Sequence, residues 1–124
     1  MAIATEVKVT GIDFVGYLVK DPKRAIEFYK SNLGLTPTWE QEQGAEFDLA
    51  DGSTFGLWHM TDGTWHPSAG AFFAVPDLKA AVAELKRRGV KLPMGEGFEG
   101  PVCHMAAVED SEGNIFMLHQ RKTQ

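Results

Sequence analysis

The apolar positions of the chain predict two helices, one in each half. The first has an aspartate before it, an apolar stripe and a glycine after it, at Asp21, Ala25, Ile26, Tyr29, Leu33 and Gly34. The second shows the same arrangement at Asp77, Leu78, Ala81, Val82, Leu85 and Gly89. Aspartate caps the free amides of a first helical turn, and glycine readily adopts the left-handed conformation in which many helices end. We therefore expect one helix between Asp21 and Gly34 and another between Asp77 and Gly89.

Runs of β-type residues surround both predicted helices. They cover residues 11–20, 36–42, 45–50 and 54–60 in the first half, and 69–75, 91–93, 102–109 and 115–121 in the second. The Asp51-Gly52 dipeptide between two of these runs is a strong signal for a β-hairpin. The order of elements in each half is therefore β-α-β-β-β.

The two halves also match each other in sequence. Residues 16–37 align with residues 72–93 at an offset of 56, and residues 51–57 align with residues 112–118 at an offset of 61. Two copies of one unit account for both matches, with unit one at about residues 11–60, a linker at 61–68 and unit two at about 69–121. Because two separate domains of about 60 residues would each be marginally stable, we expect a single domain over residues 1–124.

Composition and charge limit the partners and the location of this protein. The 12 basic and 17 acidic side chains give a formal net charge of −5, and the basic residues cluster only at 86–88 and 121–122, so we expect no nucleic-acid binding. No apolar run approaches the roughly 18 residues of a membrane-spanning helix, and residues 1–10 lack the apolar run of a signal peptide. Cys103 is the only cysteine, which excludes an intrachain disulfide and a cysteine-rich zinc site. These features predict a cytoplasmic protein with no membrane partner.

The repeated unit and two sequence segments resemble a known superfamily. The segment YLVKDPKRAIEFY at residues 17–29 with the following Leu33-Gly34-Leu35, and the segment EDSEGNIFML at residues 109–118, resemble the vicinal oxygen chelate superfamily. This superfamily includes glyoxalase I, bleomycin-resistance proteins and extradiol dioxygenases. The resemblance implies an α+β fold in which two β-α-β-β-β units form an open, curled, barrel-like sheet with helices outside. It indicates the fold more strongly than the activity, because this fold hosts both enzymes and binding proteins.

The resemblance also implies where a metal ion would bind. In metal-dependent members, the ligands lie seven residues before the capping aspartate and three residues after the final turn residue of each unit. These positions are Phe14, Gly56, Gly70 and Met117 in this sequence. Phenylalanine and glycine have no donor side chain, and a methionine thioether suits soft metals rather than Mg²⁺, Mn²⁺ or Zn²⁺. We therefore expect neither a metal site of the family type nor a cofactor, and a shift of one position along a strand does not change this.

Without a metal ion, the predicted cavity is apolar and aromatic. The candidate ligand-binding residues are Phe14, Trp39, Trp58, Phe72, Met117, His119 and His104. Four acidic residues would add negative charge at the rim and favour a cationic ligand: Glu46, Asp48, Glu96 and Glu99. Gly56 and Gly70 are expected to leave room on the cavity floor. The alternative interpretation is that the aromatic residues only fill the core of the barrel.

Three functions remain open at this point. The first is a metal-independent protein that binds a hydrophobic or aromatic small molecule and, as the resemblance to the bleomycin-resistance branch implies, forms a homodimer with pockets between subunits. The second is a lyase, isomerase or dioxygenase with a non-standard site, in which His104, His119 or a rim glutamate acts as acid or base. The third is a domain that acts only through protein contacts. The four histidines have no spacing typical of a metal motif: His59, His66, His104 and His119.

Overall fold

A computed structural model describes residues 7–122, which form two helices and eight strands. The first unit has β1 Val15–Leu18, α1 Pro22–Leu33, β2 Trp39–Gln41, β3 Gly44–Asp48 and β4 Thr54–Trp58. The second unit has β5 Phe72–Ala74, α2 Leu78–Arg87, β6 Phe98–Glu99, β7 Cys103–Glu109 and β8 Ile115–Arg121. The predicted α+β class and the predicted order β-α-β-β-β in each half are confirmed.

Local capping interactions define the helices where the sequence predicts them. The Asp21 carboxylate accepts a hydrogen bond from the Arg24 amide at 3.2 Å, and the Asp77 carboxylate accepts one from the Ala80 amide at 3.1 Å. Gly34 follows α1 in the left-handed conformation, with φ 66°. No helix within residues 7–122 is long and apolar enough to span a bilayer.

The strands form two four-stranded sheets, one from each unit, in the orders β1-β4-β3-β2 and β5-β8-β7-β6. In each sheet the first strand of the unit runs parallel to the last, and the other neighbours are antiparallel. Strands β3 and β4 form the hairpin predicted from Asp51-Gly52, with Asp48 opposite Thr54. The sheets are open, and in the described part of the chain no strand of one sheet pairs with a strand of the other.

One predicted strand lies elsewhere in the chain. Residues 91–93 are not a strand, and β6 is instead the segment Phe98–Glu99 within the glycine-rich loop 93–101. Lys91 does reach β7, since its carbonyl accepts a hydrogen bond from the Glu109 amide at 3.0 Å, but the paired residues lie at β6. Gly97 has φ 93°, and a side chain there would overlap the Met105 carbonyl oxygen, so glycine lets the backbone approach β7 closely just before β6.

Both units contribute to one hydrophobic core. Ring centroids of Phe55 in unit one and Phe73 in unit two lie 5.0 Å apart, and those of Tyr29 and Phe116 lie 5.6 Å apart. The largest fully buried aromatic side chains are Tyr17, Tyr29, Phe47, Phe55 and Phe116. Since these rings contact each other across the two units, each unit covers apolar surface of the other.

Buried polar side chains connect the turn before β8 to the start of unit one. Asp110 accepts a hydrogen bond from the Tyr29 hydroxyl at 2.6 Å, and the Asn114 amide donates to the Leu18 carbonyl at 2.7 Å. Burial raises the pKa of Tyr29, so its hydroxyl keeps the proton that it donates. Glu112, between Asp110 and Asn114, is also buried. These groups tolerate burial because they are hydrogen-bonded, and they hold the two units together.

Candidate ligand-binding site

Strand alternation gives each sheet a buried face and an open face. The buried face of the first sheet carries Tyr17, Ala45, Phe47, Phe55 and Leu57. Its other face carries a row of directly paired residues across four strands, Trp39, Glu46, Gly56 and Gly16. Directly paired residues project from the same face about 5 Å apart. We define the first open face as this row together with Phe14 and Trp58.

The first open face lines a cavity of about 180 Å³. Phe14, Trp39 and Trp58 form its aromatic walls, and these residues are 53%, 47% and 40% exposed. Large aromatic side chains that only fill a core are not exposed to this extent. Three of the predicted ligand-binding residues therefore lie together at one concave surface.

Phe14 covers the glycines on the floor of this cavity. A methyl group on Gly16 would lie 3.1 Å from Phe14 Cε2, and a methyl group on Gly56 would lie 3.6 Å from the same atom. The absence of side chains at Gly16 and Gly56 thus makes room for the Phe14 ring. Gly56 lines the cavity as expected, and the Phe14 ring lies at ordinary van der Waals distance from the position of its missing side chain.

The second sheet has an open face of different composition. We define the second open face by the residues that pair across β5 to β8 on this side, Phe72, Met117, His119, Met105 and Phe98. The rings of Phe72 and His119 meet edge to face, with centroids 6.1 Å apart, and Phe72 is 55% exposed. Sequence reasoning missed Met105 and Phe98. Pairing β7 against β8 by alternation finds Met105, whereas Phe98 lies in a strand that the sequence pattern placed elsewhere.

The structure divides the predicted residues into two groups. The cavity at the first open face is lined by residues of unit one alone. Phe72, by contrast, lines a separate cleft of about 390 Å³ with Leu33, Leu49 and Leu118. Because the two open faces belong to different sheets, a single chain presents two partial sites instead of the one predicted cavity.

His104 lies apart from the other candidate residues. It pairs with Gln120, whereas its neighbour Met105 pairs with His119, so alternation directs His104 and Met105 to opposite faces of the sheet. His104 lines a groove of about 740 Å³ beside α2, with its Nδ1 3.8 Å from Glu99 Oε1. The structure therefore does not bring His104 to the second open face, which corrects its inclusion in one predicted site.

The acidic residues predicted for one rim are also separated. Glu46 lines the first cavity, and Asp48 does not. Glu96 and Glu99 lie in the groove beside α2. There the Lys122 ammonium group, 2.6 Å from Glu99, lowers the pKa of the Glu99 carboxyl. Glu46 is therefore the one predicted rim residue that faces the aromatic walls.

The positions that bind metal in chelating relatives do not fit a metal ion here. Phe14 and Gly56 line the first cavity together, Gly70 precedes β5 with φ 105°, and Met117 presents a thioether on the second open face. None of these four residues offers an oxygen or nitrogen side-chain donor. Across residues 7–122, no three His, Cys, Asp or Glu side chains are grouped so that they could hold a metal ion.

Comparison with known proteins agrees with this architecture. The model of the Glyoxalase/Bleomycin resistance protein/Dioxygenase superfamily matches residues 11–118. No curated protein matches the chain. The family match covers both units and the linker between them, so it concerns the whole repeated architecture.

Several solved structures share the fold at low sequence identity. TnmS3, an antibiotic binding protein from Streptomyces sp. CB03234, is 19% identical with a TM-score of 0.78, over 94% of this chain and 100% of that chain. Protein ATC0852 from Agrobacterium tumefaciens is 21% identical with a TM-score of 0.75, over 93% and 100% of the two chains. A glyoxalase/bleomycin resistance protein from Catenulispora acidiphila DSM 44928 is 23% identical with a TM-score of 0.68, over 86% and 95%. Because the family model spans residues 11–118, the chain belongs to the Glyoxalase/Bleomycin resistance protein/Dioxygenase superfamily.

Proposed function

We propose that this protein is a metal-independent binding protein for a hydrophobic or aromatic small molecule. One observation carries the proposal: the first open face exposes three aromatic side chains around a cavity. The resemblance implies that two metal-ligand positions of the family fall on this face, at Phe14 and Gly56. Aromatic rings provide large apolar contact areas that suit a flat ligand. A site that has aromatic side chains and no metal-ligating side chains is suited to binding such a molecule, and not to polarising it through a bound metal ion.

Two further observations support this proposal, one on binding and one on the compartment. A protein of the same fold is an antibiotic binding protein, which supports binding here by analogy of fold. The single cysteine, Cys103, is free in this structure and suits a reducing compartment. In this proposal the protein needs no cofactor and acts in the cytoplasm.

We further propose that a second copy of the chain completes the site. The first cavity, at about 180 Å³, is smaller than the roughly 300–1,000 Å³ of typical small-molecule pockets. In the proposed homodimer, the second open face of one subunit covers the first open face of the other. The aromatic and thioether groups of two sheets then surround one ligand, which unites the two partial sites.

A titration with a neutral aromatic probe tests the binding function. N-phenyl-1-naphthylamine should bind saturably in the presence of EDTA and quench tryptophan fluorescence. Trp58→Ala should weaken this binding because it removes one aromatic wall of the cavity. The control Trp65→Phe should leave the affinity unchanged, because Trp65 lies in the linker, against Lys20 and Gly113.

Metal content provides an independent test. Untagged protein incubated with Mn²⁺, Fe²⁺, Ni²⁺ or Zn²⁺ should retain far less than one equivalent in elemental mass spectrometry, because the four family positions lack donors. One tightly bound metal ion per chain, or conversion of a bound molecule to product, would overturn the proposal in favour of a lyase, isomerase or dioxygenase.

A further inference from the structure

We infer that the first open face recognises a tertiary or quaternary ammonium group on the ligand. This inference rests on the proposed binding function and specifies the ligand chemistry of the same site. The ligand that it describes has an alkylated, positively charged nitrogen joined to a larger apolar body.

The position of Glu46 among the aromatic residues is the first argument. Glu46 pairs directly with Trp39 on β2 and with Gly56 on β4. Trp58 follows Gly56 by two residues on β4, so it is a diagonal neighbour of Glu46 on the same face. Direct and diagonal cross-strand neighbours lie about 5 Å and 7–8 Å apart, within reach of a tryptophan ring. Glu46 therefore stands between the two tryptophan positions on this face, and it lines the same cavity as Phe14.

The charge of the cavity is the second argument. Within one chain, Glu46 is the one ionisable residue that lines it, together with Phe14, Gly16, Trp39, Ala45, Gly56, Leu57 and Trp58. None of the ion pairs or side-chain hydrogen bonds in the described part of the chain involves the Glu46 carboxylate. The negative faces of the aromatic rings add to this uncompensated charge. The cavity thus attracts a cation and repels an anion.

Size and hydrogen bonding favour an alkylated nitrogen over a primary amine. A cavity of about 180 Å³ holds a single group of a drug-sized ligand, not the whole molecule. A primary ammonium group has three donors, and Glu46 is the only side-chain acceptor among the lining residues. An alkylated ammonium group has few or no donors to satisfy, and its methyl groups can contact several ring faces at once.

Choline and its neutral isostere 3,3-dimethylbutan-1-ol are a matched pair of probes for this inference. The two molecules have nearly the same shape and differ in the charge of one atom. Choline should bind about tenfold more tightly, as expected for a cation–π contribution reinforced by a carboxylate. Binding is followed by NMR through the indole N–H signals of Trp39 and Trp58, with Trp65 as an internal reference that should not shift.

Two glutamate variants separate a local charge effect from a general one. Glu46→Gln removes the charge at the cavity and should weaken choline binding about fivefold, while binding of the neutral isostere stays unchanged. Glu40→Gln removes the same charge from the neighbouring strand, where Glu40 lines a different surface beside Ile26 of α1. Glu40→Gln should therefore leave both affinities unchanged.

The outcomes distinguish the inference from the function on which it rests. Equal affinity for choline and its isostere, or an equal loss in Glu40→Gln and Glu46→Gln, overturns the inference. If choline fails to bind while N-phenyl-1-naphthylamine still binds in a Trp58-dependent manner, the inference is wrong and the binding function stands. If neither probe binds, both proposals are wrong.

Discussion

At the residue scale, Glu112 is a buried carboxylate whose two oxygens both accept several hydrogen bonds. Its oxygens accept hydrogen bonds from the amides of Lys20 and Asp21, the guanidinium of Arg24 and the hydroxyl of Ser111, at 2.7–3.1 Å. Burial alone raises the pKa of Glu112, but the hydrogen bonds from these groups outweigh it and leave the pKa below its ordinary value. Glu112 is therefore ionised at neutral pH and connects unit two to the start of α1.

The lowered pKa of Glu112 predicts a pH-dependent effect of the Glu112→Gln variant. A group whose pKa is lower in the folded state stabilises the fold above its unfolded pKa, which is about 4.3 for glutamate. This stabilisation disappears as the pH falls through the folded-state pKa. Glu112→Gln should therefore have a lower free energy of unfolding than wild type at pH 7, with a smaller difference near pH 3.

Urea denaturation of both proteins at the two pH values measures this difference. Glu40→Gln is the matched control, because it removes one exposed charge and no buried partner. A Glu112→Gln deficit of the same size at both pH values would contradict the assigned role of the carboxylate.

At the scale of elements, the hairpin of β3 and β4 depends on a close approach at Gly44. A side chain at Gly44 would overlap the Leu57 carbonyl oxygen on the neighbouring strand. At Gly56, on β4, a methyl group would instead lie 3.6 Å from Phe14, which is an ordinary contact. Two glycines in paired strands thus serve different purposes, one at a backbone contact and one on the floor of the cavity.

This difference predicts unequal effects of alanine at the two glycines. Gly44→Ala should lower the free energy of unfolding by about 1–3 kcal/mol, because the strands must move apart to admit the methyl group. Gly56→Ala should cost less, because its methyl group meets only the Phe14 ring and nearby backbone. Urea denaturation of the two variants provides the comparison, and equal losses would show that the backbone at Gly44 relaxes freely.

At the scale of the whole molecule, the two units share a core and a polar network but leave their concave faces exposed. Phe55 and Phe73 meet in the core, and Tyr29 donates to Asp110 across 81 positions of sequence. The open faces nevertheless keep large aromatic residues in contact with solvent, including Phe72. Contiguous apolar patches of this kind mark surfaces that bind ligands or partners.

The proposed homodimer predicts that a charge on the second open face disrupts the assembly without unfolding the chain. Wild type should sediment as a dimer, and Phe72→Asp should sediment as a monomer with an unchanged circular dichroism spectrum, because Phe72 is already 55% exposed. Met94→Asp, at an exposed apolar residue outside both open faces, should remain dimeric. A monomeric wild type, or a dimeric Phe72→Asp, would refute the proposed assembly.

The local sequence by itself determined the helices, most of the strands and the repeated unit. The Asp21 and Asp77 carboxylates cap amides only three residues away, so short segments contain the whole interaction. The hairpin at Asp51-Gly52 is equally local. The prediction that Phe14, Gly56, Gly70 and Met117 stand at the metal-ligand positions of the family also needs only the sequence, because it depends on residue type and spacing.

Only the tertiary structure decided which candidate residues lie together. Alternation separates His104 from His119 once β7 is paired with β8, and the two sheets separate Trp58 from Phe72. The position of β6 at Phe98–Glu99 is set by its pairing with β7, next to the close backbone approach at Gly97. Each of these outcomes depends on how strands pair and how the sheets pack, and a local pattern of apolar and polar positions does not fix the partner or the register of a strand.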